Sequence, residues 1–120
     1  MVNTKRKKYH TMIVEDDPMA ARHLEMVLDR MEEICISYVI ENALMAEAYC
    51  CREHIDLILM DVQTENRENG LTAVRQIKAI QPKSKIIVVT SLIDCAVLDE
   101  AKRAGADSLW YKDSTQKRLM

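Results

Sequence analysis

The residues able to do chemistry stand directly behind short apolar runs. Glu15 and Asp16 follow the run that closes on Val14, and Asp61 follows Leu57 to Met60. Thr90 and Ser91 follow Lys85 to Val89, and Lys112 follows Ser108 to Tyr111. Three carboxylates brought together repel one another unless a cation is present. Hard oxygen donors of this kind suit Mg²⁺, which keeps several waters and often shares its site with a phosphoryl group. Beside such a cation and Lys112, Asp61 becomes a carboxylate nucleophile toward a phosphoryl donor. Thr90 then donates a hydrogen bond to the transferred group. Taken singly, each residue has a plainer reading: Glu15 a loop acid, Asp61 a cap, Thr90 a strand end, Lys112 a solvated charge. Glu15, Asp16, Asp61, Thr90 and Lys112 at five matching positions argue for a shared site. Asp17, just before Pro18, is assigned to helix capping alone.

The elements must bring these positions together. Tyr9 to Val14, Leu57 to Asp61 and Lys85 to Thr90 are apolar runs too short for helices, and read as strands buried on both faces. Ile34 to Ile40 alternates, with Ile34, Ile36, Tyr38 and Ile40 on one side, as an edge strand does. Ser108 to Tyr111 reads as a short fifth strand. Between them, Leu24, Val27, Leu28 and Met31 mark a helix over about Pro18 to Glu32. Leu44, Ala48, Cys51 and Ile55 mark a second. Leu71, Val74 and Ile77 mark a third that starts after Gly70 and ends ahead of Pro82. The fourth spans about Asp94 to Ala104, with Val97, Leu98 and Ala101 inward and Gly105 as its stop. Strands alternating with helices at these lengths predict an α/β fold, a parallel sheet wound on both faces. The carboxyl ends of its strands lie on one rim, where ligands of such folds bind. Asp113 to Met120 leave room for about two helical turns at most. The last helix is therefore expected to be truncated, and an effector domain is expected outside residues 1–120.

Composition narrows the class. A chain of 120 residues, 48% hydrophobic and 30% charged, reads as one globular domain. Its net charge of −2 lacks the basic footprint of a nucleic-acid binder, and the run Lys5 to Lys8 reads as a solvated terminus. No apolar stretch has the length of a membrane span and no signal peptide is legible, so the expected location is cytoplasmic. Cys35, Cys50, Cys51 and Cys95 lack a C-x-x-C spacing, and His10, His23 and His54 form no i, i+4 pair, which argues against zinc. Cys35 and Cys51 are expected to be small buried hydrophobes.

With its acidic pair in IVEDDP, the Asp of DLILMD, the hydroxyl of IIVVTS and the Lys of GADSLWYKD, the chain resembles the receiver domains of two-component response regulators over nearly its whole length. The resemblance implies a flavodoxin-like, five-stranded sheet of order 2-1-3-4-5. It implies phosphorylation of Asp61 by a sensor histidine kinase, with Mg²⁺ as cofactor. Glu15 and Asp16 match the family's metal-binding acidic pair, and Gln63 matches the residue whose backbone carbonyl completes the metal site. Such a domain promotes its own phosphotransfer and dephosphorylation without being a conventional enzyme. Homodimers through the helix 4/strand 5 face are implied, as is DNA binding only through an effector domain outside this chain. Three features depart from the family pattern. The loop from Asp61 to Gly70 is one residue longer and lacks Met-Pro, Leu109 stands at a commonly aromatic position, and Asp113 replaces a frequent Pro. The Lys-Asp pair is similar to receivers with a LuxR-type helix-turn-helix output. The alternatives are a stand-alone receiver acting by protein contacts, a receiver that works without phosphorylation, and a haloacid-dehalogenase-like phosphatase. The phosphatase needs a second acid where Gln63 stands.

Overall fold

The computed structural model describes residues 8–63, 66–92 and 95–112. Five strands, β1 (Tyr9–Val14), β2 (Ile34–Ile40), β3 (Leu57–Asp61), β4 (Lys85–Thr90) and β5 (Ser108–Tyr111), form one parallel sheet of order β2-β1-β3-β4-β5. Four helices connect them: α1 (Pro18–Asp29), α2 (Ala46–Arg52), α3 (Arg67–Ile80) and α4 (Cys95–Ala104). This is the doubly wound architecture expected from the sequence pattern and the strand order that the resemblance implied.

Side chains of the central strands alternate between two cores, as a pleated strand requires. Met12, Val14, Ile58, Met60, Ile86 and Val88 share one cluster with residues of α2, α3 and α4. Ile13, Leu59 and Val89 share the other with Leu24 and Leu28 of α1. On that second face Ile34, Ile36, Leu57 and Ile87 are only partly buried.

Five details correct the sequence expectations. In β2, Ile34 and Ile36 pack on the α1 side, whereas Tyr38 and Ile40 pack on the opposite face. Thr11 pairs with Ile36 and Met12 with Tyr38, so Ser37 is an extra residue whose bulge reverses the alternation. A second correction concerns α1, which stops at Asp29. The Met31 N–H donates to the Leu28 carbonyl and the side chain of Met31 is exposed. In the second helical segment the buried residues are Ala43, Ala46 and Cys50, while Leu44, Ala48 and Cys51 are exposed and Ile55 lies beyond the helix. A single 3₁₀ turn, Ala43–Met45, precedes α2, and small side chains face the core there. Cys51 is therefore not the buried cysteine; Cys50 is, with Cys35 partly covered. Leu98 is likewise exposed, leaving Val97, Ala101 and Ala104 as the inner face of α4. Asp94 and Asp113 to Met120 lie outside the described residues. Gly105 stops α4 at φ 109°, a left-handed conformation suited to glycine.

The start of α3 matters most for the site. The helix begins at Arg67, four residues earlier than expected, and carries Gly70 inside it. A Cβ on Gly70 would lie 2.9 Å from Val62 Cγ2 and 3.2 Å from the carbonyl oxygen of Asp61. Glycine is needed here so that the helix can press against the end of β3. Gly70→Ala should gain up to about 1 kcal/mol of helix propensity and lose about 1–3 kcal/mol to overpacking against backbone. A net loss of stability in urea denaturation is expected; an unchanged or higher midpoint would show that the contact yields freely.

At the opposite rim, Asp107 ties β5 to β4 and α3. Its Oδ2 accepts the Ile86 N–H at 2.8 Å and pairs with Lys78 Nζ at 2.7 Å. Burial alone would raise the Asp107 pKa, but the Lys78 and Ile86 donors outweigh it and lower it. The folded state thus holds fewer protons than the unfolded one, so this contribution is present above the unfolded pKa and lost as pH falls through the lower folded one. Acid unfolding of Asp107→Asn should show a shallower pH dependence than wild type through the carboxylate range; identical slopes would remove Asp107 from the account.

Candidate functional site

Parallel pairing carries the ends of β1, β3, β4 and β5 to one rim. Val14 pairs with Met60, Asp61 with Val89, and Thr90 with Tyr111. Glu15, Asp61, Thr90 and Lys112 therefore emerge side by side, and backbone bonds fix their loops. The Glu15 N–H donates to the Ile40 carbonyl at 2.9 Å, and the Lys112 N–H to the Thr90 carbonyl at 2.6 Å. Asp17 caps α1 as expected, its Oδ1 accepting the Met19 N–H at 3.3 Å.

Glu15 and Asp61 are buried, with 4% and 2% of their surface exposed, while Asp16 faces solvent. One carboxylate oxygen from each of Glu15, Asp16 and Asp61 lies within 4.8 Å of the others. Lys112 Nζ reaches both buried acids, 3.2 Å from Glu15 Oε1 and 3.1 Å from Asp61 Oδ1. Burial first, and the Asp61 charge second, raise the Glu15 pKa to about 7 against the opposing pull of Lys112. Burial would lower the Lys112 pKa, but Asp61 and Glu15 outweigh it and raise it. With all groups ionised, three carboxylates against one ammonium leave a formal excess of two negative charges. A divalent cation matches that excess, and the all-oxygen donor set fits Mg²⁺.

Amides complete the surroundings of Asp61. Gln63 Nε2 donates to Asp61 Oδ1 at 2.9 Å, and Gln63 Oε1 accepts from Ser91 Oγ at 2.8 Å. Asn66 Nδ2 donates to Asp61 Oδ2 at 3.2 Å. A crevice of about 290 Å³ opens beside this cluster, lined by Glu15, Asp16, Asn42, Asp61, Asn66 and Asn69 among others. A larger groove of about 520 Å³ runs between α1 and β2, lined by residues such as Arg22, Asp29 and Tyr38 and away from the buried acids. The acids make the smaller crevice the candidate site.

The fold thus gathers Glu15, Asp16, Asp61, Gln63 and Lys112. Thr90 is fully buried at the same rim, where its Oγ1 accepts the Leu92 N–H at 3.0 Å and its own O–H remains available to donate. Ser91 joins through Gln63. Sequence reasoning missed Asn66, because starting α3 after Gly70 left that position in an unassigned loop. An N-cap-type residue four places before Gly70 was the available signal.

Residues 11–120 match the family model described as the response regulator receiver domain. The Fimbriae Z protein of Escherichia coli is 26% identical over 113 residues, covering 94% of this chain and 53% of that protein. The response regulator protein VraR of Staphylococcus aureus is 31% identical over 110 residues, covering 90% and 51%. The chain therefore spans about half the length of these relatives. Among solved structures, a LuxR-family two-component response regulator from an Aurantimonas species superposes with a TM-score of 0.81 at 21% identity, covering 94% of this chain and 80% of that one. The response regulator domain of Thermotoga maritima CheB does so at 0.79 and 22%, covering 94% and 88%. At these identities the structural likeness speaks for the fold.

Lys112 is the ammonium that meets both buried acids, so its removal leaves them facing each other. Breaking a buried pair costs about 3–5 kcal/mol, and the partial exposure of Lys112 reduces the expected loss to about 1–3 kcal/mol. Lys112→Ala should lose this much stability in EDTA, and added Mg²⁺ should raise its melting temperature more than that of wild type. A variant as stable as wild type in EDTA would mean that Lys112 does not neutralise the acids.

Proposed function

Because this chain belongs to the family of response regulator receiver domains, we propose that Asp61 accepts a phosphoryl group from a sensor histidine kinase in a Mg²⁺-dependent reaction. The observation that carries this reading is the placement of one ammonium against two buried carboxylates, one of them at the end of a central strand. An Asp61 carboxylate oxygen attacks phosphorus, the bond from phosphorus to the imidazole nitrogen of the kinase histidine breaks, and that nitrogen keeps the electron pair. Glu15, Asp16, Asp61 and the Gln63 backbone carbonyl would hold Mg²⁺, which would supply positive charge for the phosphoryl oxygens. Lys112 moves its interaction from the carboxylates toward the new phosphoryl group, and the Thr90 O–H donates to it. Gln63 is a neutral amide and cannot protonate a leaving group, which disfavours the phosphatase alternative.

The output would lie in a longer protein. By analogy with relatives about twice the length of this chain, the receiver would govern an effector domain that binds DNA, placing the whole in transcription regulation in the cytoplasm. Among the described residues no helix is long and apolar enough to cross a membrane. Leu98, Trp110 and Tyr111 expose 43%, 38% and 41% of their surface, which supports self-association through α4 and β5. A stand-alone receiver would use the same face for protein contacts.

Incubation with Mg²⁺ and acetyl phosphate should add one acid-stable, base-labile phosphoryl group by intact mass, and EDTA should prevent it. Asp61→Asn should abolish the addition. Labelling retained in that variant would sink Asp61 as the acceptor.

A further inference from the structure

Asn66 occupies the N-cap position of α3, and asparagine there normally accepts a hydrogen bond from the first turn, an arrangement worth about 0.5–2 kcal/mol. Its side chain makes no such bond. The Asn66 carbonyl begins the helix by accepting the Gly70 N–H at 2.9 Å, yet the side chain turns the other way. Its Oδ1 accepts the Gln63 N–H at 2.7 Å and its Nδ2 donates to Asp61 Oδ2 at 3.2 Å. Asn66 is half-buried and lines the crevice beside the acids. A residue type suited to capping has thus been turned toward the acidic cluster, away from its own helix.

Resting on the phosphoacceptor reading above, we propose that Asn66 is a further positioning residue for that reaction. One side chain performs two tasks. Through Oδ1 it accepts the Gln63 N–H, holding that backbone beside Asp61. Through Nδ2 it places an uncharged donor on Asp61 Oδ2, while Lys112 and Gln63 hold Oδ1. The carboxylate is therefore fixed at both oxygens, and its plane is set before a donor arrives. Fixing the orientation of a nucleophile lowers the cost of reaching the reactive geometry. When a phosphoryl group arrives, the amide is close enough to turn from the carboxylate to a phosphoryl oxygen. An uncharged donor suits this place, since it neither repels the dianion nor competes with a cation for the carboxylates.

Two substitutions separate the tasks. Asn66→Ala removes both contacts without removing a cap, because none is made, so the fold is expected to survive. Asn66→Asp keeps an oxygen that can accept the Gln63 N–H but replaces the donor to Asp61 with an anion. Hydrogen exchange of the Gln63 amide, measured by NMR without metal, should speed up in Asn66→Ala and return toward wild type in Asn66→Asp. Initial labelling by acetyl phosphate at saturating Mg²⁺ should fall roughly 10-fold or more in Asn66→Ala, the scale of losses when an outer partner of a site is removed. It should stay low in Asn66→Asp despite the recovered exchange. Labelling at the wild-type rate in both variants, or recovery of labelling along with exchange in Asn66→Asp, would overturn the proposal while leaving Asp61 as acceptor. Wild-type protein that takes up no phosphoryl group would overturn the phosphoacceptor reading and this one with it.

Discussion

The Asp61 carboxylate ends a strand covered on both faces and keeps almost no solvent of its own. An ionised group in that position is costly unless donors replace the lost water. The rim is arranged to supply them. Lys112 reaches across from the end of β5, Gln63 folds back from two residues on, and Asn66 reaches back from the start of α3. Lys112 depends on the sheet order, since β4 and β5 must follow β3 in space for it to arrive. The close approach at Gly70 sets α3 hard against the carbonyl of the same aspartate.

Burial also governs the electrostatics of the acids at this rim. The second acid, Glu15, is more deeply placed than its exposed neighbour Asp16 and lies within reach of the same ammonium. Burial first and the Asp61 charge second raise the Glu15 pKa, and the single Lys112 ammonium does not offset them. The two acids are not equivalent: Asp16 faces solvent, whereas Glu15 is buried beside Asp61 and Lys112. Such a division would suit the proposed binding of Mg²⁺ beside a phosphoryl group.

Much of this was legible in the sequence, for physical reasons. Continuous apolar runs ending on acids, a hydroxyl or a lysine identify strands buried on both faces and the rim they share, and the gathered side chains follow, whereas the order of the strands came from the family resemblance. Periodicity alone did less well where the backbone departs from regular geometry. Ser37 reverses the faces of β2 without disturbing its run of β-branched residues. The 3₁₀ turn before α2 coincides with small buried residues, Ala43, Ala46 and Cys50, which carry less hydrophobic signal than the exposed Leu44. Asn66 was hidden for another reason. Its residue type suggests a cap, and only coordinates reveal that the side chain faces Asp61 instead.

The bulge at Ser37 has a consequence for how the molecule meets its neighbours. β2 lies at the sheet edge, with one row of backbone groups unpaired by any strand of the sheet. A straight, regular edge invites an extra strand from another chain and so seeds aggregation. Here an incoming strand would have to match a ladder broken at Ser37, where the His10 ring also approaches the Ser37 hydroxyl at 3.3 Å. Because the strand changes faces there, the two halves of this border present opposite side-chain patterns to any visitor. The irregularity makes β2 a poor template and guards the solubility of a domain whose opposite border, at β5, exposes Trp110 and Tyr111.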